Sequence, residues 1–301
     1  MTDLDMRVPR CVLSQHALEV ERHLGRRVHE HWLVRQGSVR LVLRRCSPKP
    51  YRELSYELAV LDQLAGLGWP VPTPVQAPFE ADRSTWVLFT HLPGTHPQRA
   101  PSEQQRRGQL LAQLHADLET LGDLGQRAGW VRSEQLLDDP ELDRQLGRYE
   151  PIDRDAARLL RRHLERARAA LADADAASRD VMVIHSDFTH LNVLYDQGRL
   201  TGILDFETTH LNHRVADFAL SWRGKHDDVI HGYEQVRPLS DVDWELLTPV
   251  FWAWTYIGMT QYLADATSQD RPVPSLAWPI RMLQRRSPLM GAHASFDTAP
   301  G

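Results

Sequence analysis

The residues best placed to do chemistry lie in VMVIHSDFTHLNVLYDQGRLTGILDFE, residues 181–207, where polar side chains stand at the ends of apolar runs. Asn192 begins one expected strand and Asp205 ends the next, and a tight turn at Asp196 to Gly198 pairs the two antiparallel. The start of one strand then lies beside the end of the other. That joins an amide oxygen to a carboxylate, a hard-oxygen pair suited to Mg2+, which keeps waters and takes its other ligands from substrate phosphates. Asp187, on the loop just before, can face the same metal, and His185 opens that loop.

His185-x-Asp187, then Asn192, then Asp205-Phe206 resembles the catalytic loop and metal-binding aspartate of kinase-like enzymes. Ser186 stands where protein kinases usually have arginine, and Asp205-Phe206-Glu207 replaces their Asp-Phe-Gly. Both features resemble the aminoglycoside phosphotransferase and choline kinase family of small-molecule kinases, as does Asp217 in HRVADFAL, the acidic position after the metal aspartate. The resemblance implies an α+β, protein-kinase-like two-lobed fold with a small β-rich N-terminal lobe and a larger, mostly helical C-terminal lobe. It also implies transfer of a phosphoryl group from Mg-ATP to a small-molecule hydroxyl. Asp187 would orient and deprotonate the acceptor, Asn192 and Asp205 would hold Mg2+, and His185 would brace the loop.

A chance match is a weak alternative, because the His-x-Asp-x4-Asn spacing with an Asp-Phe at the next strand's end arises in roughly one chain of this length in a thousand. Two other readings stay open. His185, Asp187 and His190, completed by His210 or His213, could bind zinc or iron in a hydrolase, and a pseudokinase could hold nucleotide without transfer.

The elements that must position these residues are legible from periodicity. HWLVRQGSVRLVLRR, residues 31–45, reads as a hairpin about Gln36-Gly37-Ser38. Leu54, Leu58, Leu61 and Leu64 mark a helix from Tyr51 to Leu67, ended by Gly66, Gly68 and Pro70. Trp86 to Thr90 is a buried strand ending at Leu92-Pro93-Gly94. Helices follow over Ser102 to Leu121 and Asp155 to Ala174, then short strands at Val181 to Ile184, Val193 to Tyr195 and Leu200 to Leu204, then a helix from Asp241 to Tyr262. The implied divisions are a nucleotide-binding lobe at 1–93, a catalytic and acceptor-binding lobe at 94–286, and a disordered tail at 287–301.

Kinase-like lobes use a basic residue on the third strand and a helix glutamate to hold it. Val42 and Arg44 share one strand face, so Val42 could cover the adenine while Arg44 reaches the phosphates. The usual residue is lysine, but the chain's only lysines are Lys49 and Lys225. Glu57 falls inside the apolar arc of its helix, and a buried carboxylate needs a partner, for which Arg44 is the natural candidate. No GxGxxG lies between Gly25 and Glu30. The hinge at Phe89 to Leu92, with Thr90 and Leu92, would present backbone groups to adenine.

Composition narrows the partners. A chain of 301 residues, 42% apolar, can bury a sizeable core, and a formal charge of -5 argues against a nucleic-acid partner. No signal-peptide-like run opens the chain, and Val250 to Leu263 is too short for a membrane span, so a cytoplasmic protein is expected. Cys11 and Cys46 are too few for a disulfide framework. The acids Glu207, Asp217, Asp227, Asp228, Glu234, Asp241, Asp243 and Glu245 outnumber Arg214, Arg223, Lys225 and Arg237, which would suit a cationic acceptor. Trp222, Trp244, Trp252 and Trp254 could stack on it, or serve the core.

Overall fold

The computed structural model describes residues 8–26, 28–47, 53–122, 124–222, 227–268, and positions 276, 280, 281 and 283. In chain order the elements are α1 (Arg10–Gln15), β1 (Glu19–Arg26), β2 (Glu30–Gln36), β3 (Val39–Arg45), α2 (Leu54–Gly66), β4 (Phe79–Ala81) and β5 (Ser84–Thr90). Next come α3 (Pro101–Leu118), α4 (Ser133–Leu137), α5 (Pro140–Tyr149), α6 (Arg154–Asp173), β6 (Met182–Ile184), β7 (Val193–Asp196) and β8 (Arg199–Ile203). The last are β9 (His210–Asn212), α7 (Ala216–Trp222), α8 (Asp227–Glu234) and α9 (Asp241–Ser268). The chain is thus α+β. The tail expected at 287–301, and Arg223 and Lys225, lie outside the described residues.

Two compact units divide it. The first holds residues 1–97, 127–129 and 191–208, and the second holds 98–126, 130–190 and 209–301. Asn192 and Asp205 therefore belong to the first unit, and His185 and Asp187 to the second.

In the first unit an antiparallel sheet runs in the order β1-β2-β3-β5-β4. Alternation along its strands sends Trp32, Val34, Leu41, Leu43, Trp86 and Leu88 into one core with Val8 and Val12. Val42 and Arg44 consequently share the other face. The β2–β3 hairpin turns at Gly37 and Ser38, as expected, with φ of 60° at Gly37. β1, which precedes that hairpin, was not legible in the sequence: two bulges interrupt its alternation. Helix α2 stops where its glycines and proline said it should. Trp69 N–H donates to Leu64 O and Gly68 N–H to Ala65 O, a glycine-closed C-terminus with φ of 88° at Gly68.

The β7–β8 hairpin also lies in this unit. Asp196 pairs with Arg199 across Gln197 and Gly198, both at positive φ, and Ile203 N–H donates to Pro70 O. Thr95 forms a two-way bridge to Tyr195, so residues 94–95 approach β7 closely. Gly94 allows this: at φ 136° any Cβ there would come within 2.5 Å of Thr201 Oγ1.

The second unit is mostly helical. Helices α3 and α8 approach without side chains between them, because a Cβ on Gly108 would lie 1.9 Å from Val229 O and one on Gly232 1.9 Å from Gln105 O. β6 and β9 form a two-stranded ribbon. Trp252 is buried, with the His163 ring edge-on to it at 4.7 Å, so it serves the core. Among the described residues no helix is long and apolar enough to cross a membrane.

Candidate functional site

The hairpin register puts Asn192 and Asp205 where the sequence placed them. Val193 faces Ile203, and one step outward Leu204 N–H donates to Asn192 O at 2.8 Å, which leaves Asp205 next in line. Asn192 is buried, while Asp205 is exposed and held at φ 67°, a left-handed conformation that asparagine and aspartate tolerate better than most residues. One amide and one carboxylate fit magnesium, which needs few protein ligands when phosphates supply the rest.

Arg44 and Glu57 meet in the same unit. Nη1 lies 2.7 Å from Oε1 and Nη2 2.9 Å from Oε2, with the guanidinium 4.7 Å above the Phe89 ring. Burial opposes Arg44's charge, but the Glu57 carboxylate outweighs it and holds the proton more firmly than usual. Val42 lies beside Leu33 and Phe89 in the sheet. At the hinge, Thr90 N–H donates to Thr73 O and its hydroxyl accepts from Thr73 N–H, while Leu92 reaches toward Gly202 of β8. Glu207 Oε2 takes His29 Nε2 at 3.0 Å, and Ser47 N–H donates to His29 Nδ1, which assigns the ring proton to Nε2.

In the second unit the loop after β6 is held from below. His185 N–H donates to Asp217 Oδ2 at 2.9 Å and Ser186 N–H to Oδ1, with Ser186 turned through φ 68°. His115 Nε2 sits 2.8 Å from the same Oδ2, and His115 Nδ1 2.9 Å from Tyr233 Oη. Asp217, His115 and Tyr233 are completely buried. Burial alone would raise the Asp217 carboxyl, yet the hydrogen bonds and charge of its partners, His115 first, hold it below the usual range. The fully buried His185 accepts from Asp187 N–H on Nδ1 at 3.2 Å, and Arg107 donates to Phe188 O. The loop carrying Asp187 is thus fixed through its backbone, and two left-handed non-glycine residues, Ser186 and Asp205, bound the stretch that bears the chemistry.

Structure therefore brings together Arg44 with Glu57 and His185 with Asp187, and it sets Asn192 opposite Leu204, one residue before Asp205. Asp217, grouped in the sequence with acceptor-facing acids, is instead beneath the loop, and Asp243 is paired with Arg214. Arg107 escaped notice, although it stands one turn before Leu111 on the apolar face of α3 and so carried the same signal as Glu57.

The residues of the zinc alternative are tied elsewhere. Arg99 Nε donates to His190 Nε2, His210 stacks on Trp130 and contacts Asn212, and His213 pairs with Glu134. Among the described residues no three His, Cys, Asp or Glu side chains gather as a metal site.

A model of a phosphotransferase enzyme family matches residues 19–238. The chain belongs to this phosphotransferase family. An uncharacterized protein of Deinococcus radiodurans is 27% identical over 256 residues, covering 77% of this chain and 72% of its own. Among solved structures, a thermostable mutant of an aminoglycoside phosphotransferase in its apo form superposes with a TM-score of 0.69 at 15% identity, over 97% of this chain and 100% of its own. A microcompartment-associated aminopropanol kinase gives 0.68 at 17%, over 96% and 94%. At such identities the structural likeness is one of fold, and it establishes the kinase-like α+β fold for this phosphotransferase.

Proposed function

We propose that this phosphotransferase moves the γ-phosphate of Mg-ATP to a hydroxyl group of a small molecule. The observation that carries the proposal is the hairpin register, which sets Asn192 opposite Leu204, the residue before Asp205, at the open end of the hairpin. Held there, Mg2+ would neutralise phosphate charge. Arg44, oriented by Glu57, would reach the phosphates from the strand face it shares with Val42, which would cover the adenine, and the chain at Thr90 and Leu92 would border the base.

Asp187 would accept a hydrogen bond from the acceptor hydroxyl and fix its line of attack. A loose phosphoryl-transfer transition state asks little early proton removal, so orientation outweighs basicity. His185 contributes by holding the Asp187 amide. A pseudokinase is disfavoured by the presence of Asp187, Asn192 and Asp205 together.

For the acceptor we favour a cationic amino alcohol or aminoglycoside over a neutral sugar. An aminopropanol kinase and an aminoglycoside phosphotransferase crystallised with ADP and hygromycin B share this fold. With Asp217, Asp243 and Glu207 paired inside the fold, the acids of that group among the described residues that could recognise an amine include Asp228, Asp241 and Glu245. A panel of aminoglycosides, amino alcohols, homoserine and sugars, each with Mg-ATP, tests this by ADP formation and by the 31P resonance of a new phosphate ester. An ester on an amine-bearing acceptor is expected. Ester formation on neutral sugars alone would contradict the acceptor class, and ester hydrolysis without nucleotide would favour a hydrolase.

A further inference from the structure

Arg127 is 1% exposed although it sits in a loop between α3 and α4. Gly125 and Gly129 frame that loop with φ of 64° and 75°, the left-handed turns that let five residues leave and return, and Gln126 Nε2 closes its base on Trp130 O. Residues 127–129 pack as part of the first unit, although the chain on both sides belongs to the second.

Arg127 and Ala128 reach the start of α2. Arg127 Nη2 donates to Glu53 O at 3.0 Å, its guanidinium lies 5.6 Å from the Tyr56 ring, and Ala128 N–H donates to Glu53 Oε2 at 3.3 Å. Glu53, the N-cap residue of α2, makes no side-chain cap of its own, and a helix N-terminus leaves backbone N–H groups in need of partners. A cation at a helix N-terminus opposes the helix dipole, and a buried one also loses hydration. Burial is the larger effect and lowers the Arg127 pKa, while the fields of Glu57 first, then Tyr56, Glu53 and Glu207 oppose it in part. Glu57 is the next residue after Tyr56.

We propose that Arg127 is a positioning residue that clips the first turn of α2, so that Glu57 presents both oxygens to Arg44 and nucleotide affinity is set. The proposal rests on the phosphotransferase reading. It differs from simple stapling of a loop, because loss of the clip acts through Glu57.

Calorimetric titration of the full chain with Mg-AMP-PNP tests it, using the unaltered protein, Arg127→Met, Arg127→Lys, Glu53→Ala, Glu57→Gln and the Arg127→Met/Glu57→Gln double variant. Arg127→Met is expected to weaken binding about tenfold. Arg127→Lys, which keeps the charge and a donor for Glu53 O, recovers part of the loss, and Glu53→Ala loses less than Arg127→Met. The double variant binds within about twofold of Glu57→Gln alone, since both changes disable one interaction. Hydrogen exchange without ligand shows faster exchange in the first turn of α2 in Arg127→Met. Should that variant not fold, Arg127→Lys and Glu53→Ala carry the test. Unchanged binding in the variants, or losses that multiply in the double variant, would overturn the proposal alone. No nucleotide binding by the unaltered protein would overturn the phosphotransferase reading and this proposal with it.

Discussion

Arg44 of β3 and Glu57 of α2 meet prong to prong, at 2.7 and 2.9 Å, with both side chains almost fully withdrawn from water. The geometry explains why arginine serves here. A planar fork can meet both carboxylate oxygens at once, whereas an ammonium is a compact point charge.

Breaking the pair should therefore cost more than the pair is worth. Glu57→Ala leaves a buried guanidinium without its carboxylate, which costs about 3–5 kcal/mol. A fall in thermal midpoint of roughly 10 °C is expected by calorimetry. Arg44→Lys should also weaken Mg-nucleotide binding, because it cannot restore the two-pronged contact. A melting point in Glu57→Ala equal to that of the unaltered protein would contradict the buried pairing.

The closest helix contact sets a second expectation. Gly108→Ala or Gly232→Ala must drive a methyl group into the backbone of the facing helix, so α3 and α8 have to separate. A loss of about 3 kcal/mol is expected from denaturant titration. The same helices carry Arg107, His115 and Tyr233, which support the loop of Asp187, so activity should fall further than stability alone accounts for.

Acid should destabilise the protein before its carboxylates titrate. His31 faces Arg44 across β2 and β3, and burial first, then the charge of Arg44, lowers its pKa from 6.5 to about 4. The unfolded chain takes up a proton that the folded chain refuses, so this contribution is complete above about pH 6.5 and declines as pH falls toward 4. His163, burial being its main cause, behaves alike. Melting curves between pH 7.5 and 4.5 should show a shallower slope in His31→Gln. Asp217, with its pKa lowered, adds stability that is lost only at still lower pH.

Much of the chemistry was legible because polar residues interrupt apolar patterns. Glu57 stood inside a helical arc and Arg44 on a strand face, and the two met. The turn at Gln197 and Gly198 set the register that places Asn192 opposite Leu204, one residue before Asp205. What escaped depends on tertiary closure. The sequence shows an aspartate at 217 and a histidine at 115, but their meeting under His185 requires α3, α7 and the loop to be in place. Arg127 lies in a loop without periodicity, so no pattern could announce its burial.

The central claim assigns separate tasks to Asp187 and Asp205, and one paired measurement tests it most directly: Mg-nucleotide binding and phosphoryl transfer in Asp187→Asn and Asp205→Asn, with whichever acceptor the panel identifies. Asp187→Asn should bind Mg-AMP-PNP as the unaltered protein does while losing about a hundredfold or more in transfer rate. Asp205→Asn should lose transfer together with the magnesium dependence of nucleotide binding. Undiminished transfer in either variant would contradict the account.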